Sequence, residues 1–300
     1  MKTDFIKGVI PPIVTPLDDN EKVVEMPLRS IVDHVIDGGV HGILSLGSNG
    51  EFFGLDPEEQ QKAVAITIDQ ARGRVPVYVG IGAISTKECV RQALLAESKN
   101  AQAVTILPPM FLSPNEDEMY EHFRTVAEAV SIPVLLYNNP DRMCIGISTK
   151  LLMRLAQIPN IVGIKDSSGD MTLTAEFIRL TREIDFKVMA GRDIMILGTL
   201  AYGGVGCVAS TANFVPRLVV AIYEKYLSGD LNGAREAQFK LAPLRMAYNL
   251  GSFPVVTKEY MRILGFEVGK PVKPNTGCTE ENLEKLRELL LSYQNSAESI

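Results

Sequence analysis

A lysine ends one of the short apolar runs of this sequence, where it could act as a nucleophile. Lys165 closes the run over 161–165, and alternation along an extended strand puts its side chain on the face of Gly163 and Ile161. If that face lines a partly dry pocket, desolvation lowers the pKa of a lysine and favours the neutral amine, which can form a Schiff base with a carbonyl compound. A lysine at a strand end can also extend its ammonium into solvent, and the position alone leaves both interpretations open.

A tyrosine and an arginine accompany the preceding apolar run, over 133–138. Tyr137 lies near the end of that run, where a phenol can relay a proton or hold a substrate carboxylate. A tyrosine with a packed ring and a solvated hydroxyl is nevertheless the more common case. Arg142 follows in the segment after the run, where its guanidinium could bind a carboxylate through two parallel hydrogen bonds or remain a surface charge.

A glycine-rich segment, GSNGE at 47–51, could hold an anion. Its two glycines let the backbone approach a ligand closely, and Ser48 and Asn49 add hydrogen-bond donors beside a predicted helix start. An ordinary turn between a strand and a helix has the same composition, so the motif is weak by itself. The glycines within 203–206 are better explained by close packing than by a phosphate site.

The overall composition argues against several other classes of function. The 300 residues include 30 Lys+Arg and 36 Asp+Glu, a net charge of −6 without a basic run, so nucleic acid is not an expected partner. The four cysteines and three histidines are scattered without ligand spacing, so a metal site is not expected. No stretch of about 18 apolar residues is present, and the first residues lack the apolar core of a signal peptide. These features predict a cytoplasmic protein without a membrane span.

The segments that must position these residues alternate between short apolar runs and amphipathic stretches. Runs that are apolar along their whole length, separated by helices, predict a parallel sheet covered on both faces. Eight such units favour a closed (β/α)8 TIM barrel, an α/β fold, over an open doubly wound sheet, and no GxGxxG follows the first run. The predicted strands cover 8–15, 42–46, 75–80, 103–107, 133–138, 161–165, 186–190 and 206–210. The predicted helices cover 27–37, a second that opens at 56–59, 86–100, 116–130, 149–157, 171–183, 193–202 and 215–227.

The barrel pattern ends near residue 228, which predicts two domains. The barrel covers 1–228, and a C-terminal helical domain covers 229–300. Helices are expected there over 234–248, 254–264 and 279–293. Side chains at the carboxyl ends of the strands of a (β/α)8 barrel converge on the active site. Lys165, Tyr137 and the GSNGE segment all lie at such ends, so we expect them to meet.

Five motifs, taken in order, resemble those of one family. They are GSNGE at 47–51, YNNP at 137–140, GIKDSSG at 163–169, AGRD at 190–193 and STAN at 210–213. With them the chain resembles the dihydrodipicolinate synthase / N-acetylneuraminate lyase superfamily of pyruvate-dependent class I aldolases. The resemblance extends over nearly the whole chain, from 8–12 to the C-terminal helices.

The resemblance implies a role for each candidate residue. Lys165 would form the Schiff base with pyruvate or another 2-keto acid, and Tyr137 would shuttle the proton. The substrate would be held by the GSNGE segment, by backbone groups late in the barrel and by an arginine that matches one in the synthases; these residues are Ser48, Asn49, Gly191, Val208 and Arg142. No metal or organic cofactor is implied, because the lysine supplies the electron sink. Family members are usually homotetramers, often dimers of dimers.

The choice of subfamily depends on three positions. Dihydrodipicolinate synthases have a GTTGE-like motif in the loop, and they have a tyrosine where this chain has Phe111. A phenylalanine cannot relay a proton. Asn49 replaces the second threonine of that loop, although Arg142, in PDRM at 140–143, matches the synthase arginine. The GSNGEF loop and the segment IVGIKDSSGD look closer to 4-hydroxy-2-oxoglutarate aldolases and 2-keto-3-deoxy-sugar-acid aldolases.

The leading hypothesis is therefore a Schiff-base aldolase that cleaves or forms a 4-hydroxy-2-keto acid, giving pyruvate and an aldehyde. The main alternative is dihydrodipicolinate synthase, which condenses pyruvate with aspartate semialdehyde. N-acetylneuraminate lyase is a further alternative, although its YNIP segment usually lacks the arginine. A dehydratase or deaminase that acts through the same imine is another. A non-catalytic barrel that binds 2-keto acids is the alternative from a different class, and the Lys165–Tyr137 pair argues against it, since binding alone needs neither group.

Overall fold

Strands and helices alternate along the chain in a computed structural model that describes residues 2–297, with side chains through residue 295. Residues 1 and 298–300 of the two predicted domains lie outside the described residues. The strands are β1 (Gly8–Val9), β2 (Ile43–Ser45), β3 (Val77–Ile81), β4 (Ala103–Ile106), β5 (Val134–Asn138), β6 (Ile161–Asp166), β7 (Lys187–Ala190) and β8 (Gly206–Cys207). The helices are α1 (Glu25–Asp37), α2 (Pro57–Ala71), α3 (Thr86–Ser98), α4 (Glu116–Glu128), α5 (Pro140–Met143), α6 (Thr149–Leu155), α7 (Met171–Thr181), α8 (Ile196–Ala201), α9 (Pro216–Leu227), α10 (Leu231–Met246), α11 (Val255–Ile263) and α12 (Glu280–Ala297).

The eight strands form one parallel sheet that closes on itself. Its order is β1-β8-β7-β6-β5-β4-β3-β2. Pro12, just beyond β1, forms a parallel bridge with Leu44 of β2, which joins the two ends of this order. The prediction of an α/β fold with a (β/α)8 barrel is confirmed. No helix in residues 2–297 is long and apolar enough to cross a bilayer.

Two apolar layers hold the barrel together. The larger one lies between the strands and the surrounding helices. The smaller one fills the inside of the barrel with side chains from successive strands, as packing in such barrels requires. Its buried members are Ile6, Ile10, Leu44, Tyr78, Ala103, Leu135, Val162, Met189 and Val208.

Local sequence signals explain where several helices begin. Asp56 caps α2 by accepting a hydrogen bond from the Glu59 amide, with Pro57 at the first helical position. Asn115 and Glu118 form a reciprocal capping box at the start of α4. These caps satisfy amides that have no partner inside the helix, so the helices start at defined residues.

Some elements are shorter than predicted or were missed. β1 ends at Val9 instead of residue 15, because Pro11 and Pro12 have no N–H to donate to a neighbouring strand. β8 ends at Cys207 instead of residue 210, and a short 3-10 turn, Ser210–Asn213, follows it. α5 is a single turn that begins at Pro140 directly after β5, and it was not predicted from the sequence.

A bulge in β6 changes which of its side chains face inward. Val134 of β5 pairs with Ile161, but the next residue, Leu135, pairs with Gly163, so Val162 is the extra residue. Val162 lies in the inner cluster, whereas Ile161 belongs to the outer layer. The prediction that strict alternation places Ile161 on the face of Lys165 is therefore wrong, because the bulge shifts the alternation within the strand.

A buried ion pair fastens the C-terminal helices to the barrel. Glu51, the last residue of the GSNGE segment, pairs with Lys258 of α11, and their side chains are 0% and 1% exposed. Lys258 Nζ also donates to the Lys270 carbonyl (3.0 Å), and the Val272 amide donates to Glu51 Oε1 (2.7 Å). Burial lowers the pKa of Lys258, and the negative charge of Glu51 opposes that shift. The domain boundary at 228/229 stays a prediction.

We expect Lys258→Met to lower the free energy of unfolding by about 3–5 kcal/mol, because it leaves a buried carboxylate without its cation. The double variant Glu51→Gln/Lys258→Met should recover most of that loss, since no charge stays buried. Urea denaturation at neutral pH measures both. As a control, Asp19→Asn breaks the exposed pair with Lys270 and should leave the midpoint unchanged. A Lys258→Met midpoint equal to that of the control would contradict a stabilising role for the pair.

Candidate active site

The carboxyl ends of the strands surround a cavity of about 230 Å³. Segments that follow β1, β2, β5, β6, β7 and β8 form its walls, and α10 and the segment before α11 complete them. The lining residues are Pro12, Ser48, Asn49, Tyr137, Asn139, Asp141, Arg142, Lys165, Ser167, Gly191, Arg192, Asp193, Ser210, Arg245 and Phe253. Six of the seven predicted site residues are among them, and Val208 is not.

Lys165 and Tyr137 lie side by side at the base of this cavity. They are paired in register across β5 and β6. The Lys165 Nζ lies 3.8 Å from the centroid of the Tyr137 ring. Both residues are buried, with 4% and 6% of their surface exposed. An amine in such a place is screened from bulk water, which suits a nucleophile better than a solvated surface lysine does.

The Tyr137 phenol is surrounded by polar groups. Asn139 Nδ2 donates a hydrogen bond to its hydroxyl (3.0 Å). Burial by itself raises the pKa of Tyr137, but the positive charge of Lys165 and a hydrogen bond with Ser48 outweigh burial, so the pKa lies below its ordinary value. A phenol whose pKa is lowered exchanges its proton more readily near neutral pH, as a proton shuttle must.

The GSNGE segment forms a short 3-10 turn, Ser48–Gly50, on the cavity wall. Asn49 is held at both ends of its amide: Nδ2 donates to Ser210 Oγ (2.7 Å), and Thr257 Oγ1 donates to Oδ1 (3.0 Å). The amide therefore ties the turn to the end of β8 and to α11. Ser48, whose hydroxyl faces Tyr137, is the freer of the two side chains to meet a ligand.

Gly191 lies where two strand ends come close together. A Cβ at this position would lie 2.0 Å from Ser167 Oγ and 2.8 Å from the Asp166 carbonyl oxygen, so only glycine fits. Its amide donates to that carbonyl (2.7 Å). Val208 instead packs in the inner cluster, and its amide donates to the Ala190 carbonyl (2.8 Å). The structure therefore does not bring Val208 to the cavity wall.

A carboxylate beside the lysine, which was not predicted from the sequence, organises the loop after β6. Asp166 accepts hydrogen bonds from Asn138 Nδ2 (2.9 Å), from Thr174 Oγ1 (2.5 Å) and from the amide and hydroxyl of Ser168. The run of polar residues in GIKDSSG is the sequence feature that could have indicated the role of Asp166. These bonds hold the strand end that carries Lys165.

Further charged residues of the cavity also escaped prediction. Asp193 is buried and accepts from the amides of Ser210 (3.2 Å) and Thr211 (2.9 Å). Arg192 pairs with Asp141 and donates to the Ser167 carbonyl (2.9 Å). The AGRD motif at 190–193 includes Arg192 and Asp193 and could have indicated that they lie at the cavity. Nothing in the sequence marked Arg245 and Phe253, which come from the helical segment after the barrel.

The cavity is cationic although the chain is acidic. Its walls carry Lys165 and three arginines (142, 192 and 245) against the carboxylates of Asp141 and Asp193, a local balance of +2 in a chain of net charge −6. Such a balance favours anionic ligands. In the described part of the chain, no group of three His, Cys, Asp or Glu side chains is arranged to hold a metal ion.

The sequence is similar to known proteins over almost its whole length. The model of the dihydrodipicolinate synthetase family matches residues 5–292. The chain is 36% identical over 291 residues to the 4-hydroxy-tetrahydrodipicolinate synthase of Methanospirillum hungatei, covering 96% of this chain and 100% of that protein. It is 36% identical over 287 residues to the protein of the same name from Methanopyrus kandleri, with 95% of each chain covered.

Solved structures give the same result. Dihydrodipicolinate synthase from Aquifex aeolicus superposes with a TM-score of 0.92 at 31% identity, covering 96% of this chain and 98% of that one. YagE, a prophage protein of the dihydrodipicolinic acid synthase family from E. coli K12 solved with pyruvate, has a TM-score of 0.92 at 28% identity with the same coverage. The chain therefore belongs to the dihydrodipicolinate synthetase family of Schiff-base carbon–carbon lyases and synthases.

Proposed function

We propose that the protein is a pyruvate-dependent aldolase that cleaves or forms a 4-hydroxy-2-keto acid, giving pyruvate plus an aldehyde. The observation that carries the proposal is the buried Lys165 amine placed 3.8 Å from the Tyr137 ring centroid at the base of a cationic cavity. Family membership supports the Schiff-base chemistry, and Phe111 supports the choice of this reaction within the family.

The chemistry begins with attack of Lys165 Nζ on the keto carbon of pyruvate. Loss of water from the resulting carbinolamine leaves an iminium ion, which withdraws electrons from the neighbouring carbon. Removal of a proton from that methyl carbon gives an enamine, whose carbon attacks the aldehyde carbonyl to form the new carbon–carbon bond. The aldehyde oxygen takes up a proton, and water then releases the product from Lys165. Cleavage follows the same steps in reverse.

The other residues bind and position the reactants. Tyr137, with its lowered pKa, carries protons between the carbinolamine and the reacting oxygen. Ser48 donates to the pyruvate carboxylate, while Asn49 holds the turn in place through its two side-chain hydrogen bonds. Gly191 lets Ser167 and the Asp166 backbone lie close to the end of β7, and this close approach shapes the cavity wall beside the keto acid. Arg142 faces the part of the cavity left for the aldehyde.

Dihydrodipicolinate synthase remains the second candidate, because the curated relatives carry that name and Arg142 matches the synthase arginine. Phe111 favours the aldolase instead. It occupies the position of the synthase tyrosine, has no hydroxyl, is 91% exposed and does not line the cavity of its own chain. The homotetramer implied by the resemblance and the cytoplasmic location predicted from the sequence features belong to this proposal.

Trapping of the Schiff base tests whether Lys165 is the nucleophile. Incubation with pyruvate followed by borohydride should give one reduced adduct per chain by intact mass, because borohydride traps the iminium ion. Lys165→Ala should abolish the adduct, whereas Lys150→Ala, which changes an exposed lysine, should retain it. An adduct that still forms in Lys165→Ala would contradict the assignment of Lys165 as the nucleophile.

Substitution of Tyr137 tests its role as the proton shuttle. Tyr137→Phe should lower kcat by about 10²–10⁴-fold, the usual contribution of a positioned proton donor or acceptor. The pyruvate adduct should still be trapped after long incubation, since the amine is unchanged. Tyr202→Phe alters an exposed tyrosine and serves as the matched control. Equal turnover by the two variants would exclude proton transfer through Tyr137.

A comparison of substrates distinguishes the two candidate reactions. Pyruvate release from 4-hydroxy-2-oxoglutarate or 2-keto-3-deoxygluconate should be faster than condensation of pyruvate with aspartate semialdehyde, as steady-state kcat/KM values would show. Efficient condensation with the semialdehyde would establish the synthase instead. Phe111→Tyr should raise the condensation rate if that position relays protons, and no change in any rate would remove the argument drawn from Phe111.

A further inference from the structure

Two consecutive residues of α11 hold the 3-10 turn of the GSNGE segment, which we call the GSNGE turn. Lys258 pairs with Glu51 at the end of the segment, and Thr257 donates from Oγ1 to Asn49 Oδ1 (3.0 Å). Thr257 is 0% exposed. The ion pair draws the helix and the turn together, and the hydrogen bond sets the orientation of the Asn49 amide, because hydrogen bonds are directional.

The Thr257 hydroxyl belongs to a chain of hydrogen bonds whose direction follows from the number of protons. Its Oγ1 also lies 2.9 Å from the Tyr248 hydroxyl oxygen. A threonine hydroxyl has one proton, and Thr257 gives that proton to the Asn49 oxygen, so Tyr248 must donate to Thr257. Burial raises the pKa of Tyr248, and the nearby Asp193 carboxylate adds to that shift. The phenol therefore keeps the proton that it donates.

The other end of this chain is anchored at the end of β8. Asn49 Nδ2 donates to Ser210 Oγ (2.7 Å). The Ser210 amide donates to Asp193 Oδ1 (3.2 Å), and the Ser210 carbonyl accepts from Asn213 Nδ2 (2.9 Å). Because both neighbours of the Asn49 amide are held in place, the amide has one favourable orientation between them.

The chain can influence a ligand only through the GSNGE turn. In the described part of the chain, neither Thr257 nor Tyr248 is among the residues that line the cavity. Ser48 precedes Asn49 in the same turn, and its hydroxyl forms a hydrogen bond with Tyr137 at the base of the cavity. A rotation of the Asn49 amide would therefore displace the backbone of the turn and the Ser48 hydroxyl with it.

We propose that Thr257 is a positioning residue for the keto acid: through the Asn49 amide, its hydroxyl holds the Ser48 hydroxyl where it meets the substrate carboxylate. The inference rests on the proposed function, in which Ser48 binds that carboxylate. It also explains why an asparagine occupies position 49. An asparagine has an acceptor and a donor on separate atoms of one planar group, so it can join Thr257 to Ser210. A threonine has one oxygen for both contacts.

The test measures how much pyruvate is needed to form the borohydride-trapped adduct. Thr257→Val removes the hydroxyl and keeps the shape of the side chain. The pyruvate concentration at half-maximal trapping should rise about 10-fold, as expected when a buried hydrogen bond is lost. KM should rise by the same factor, and kcat should stay within about twofold, because the pairing of β5 with β6 positions Lys165 and Tyr137. Thr257→Ser, which keeps the hydroxyl, should restore most of the wild-type affinity.

Thr181→Val is the matched control. Thr181 is also buried, and its hydroxyl donates to the Phe177 carbonyl (2.7 Å) within α7, outside the lining of the cavity. This variant should leave the half-maximal pyruvate concentration unchanged, which separates positioning from a general loss of stability. If Thr257→Val does not fold, Tyr248→Phe removes the first donor of the chain instead, with an expected rise of about threefold.

A double-variant cycle shows whether Thr257 acts through Asn49. In an Asn49→Ala background, Thr257→Val should raise the half-maximal pyruvate concentration by less than about twofold, since the chain is already broken there. Equal rises in both backgrounds, or wild-type pyruvate binding by Thr257→Val or by Tyr248→Phe, would overturn this inference alone. Failure of the wild type to form the adduct would overturn the proposed function, and this inference with it.

Discussion

The contact between the Lys165 amine and the Tyr137 ring is the interaction on which the rest of the site depends. It requires that β5 and β6 pair with these two residues opposite each other, at the end of the barrel where side chains can meet a ligand. The bulge at Val162 produces that register, and the hydrogen bonds accepted by Asp166 hold the strand end in place. The Lys165 amine and the Tyr137 phenol are thus positioned by backbone pairing and not by flexible loops.

The barrel supplies this pair, and the segment after the barrel completes the cavity around it. Glu51 and Lys258 join the GSNGE turn to α11 through a buried ion pair, and Asn49 adds a second link through Thr257. The same helical segment contributes Arg245 and Phe253 to the walls. Removal of the C-terminal helices would therefore disturb the GSNGE turn as well as the part of the cavity wall that contains Arg245 and Phe253.

Family membership establishes the reaction type, but the cavity also contains residues that belong to none of the family motifs. The motifs at 47–51, 137–140 and 163–169 supply several residues that line the cavity, among them Ser48, Tyr137 and Lys165. Other parts of the wall come from residues outside the motifs, among them Arg245 and Phe253. Specificity within one family can change there without disturbing the Schiff-base chemistry.

The sequence by itself determined the eight strand–helix units and their closure into a barrel, because periodicity and helix caps are local patterns. Its motifs also named seven candidate site residues, six of which line the cavity. Only the tertiary structure decided the rest. The bulge at Val162 depends on pairing with another strand, and Val208 faces the inner cluster because β8 pairs with β7 in one register. Arg245 reaches the cavity because α10 packs back over the barrel. It is more than a hundred positions along the chain from Ser48 and Tyr137, so no local sequence pattern encodes their meeting.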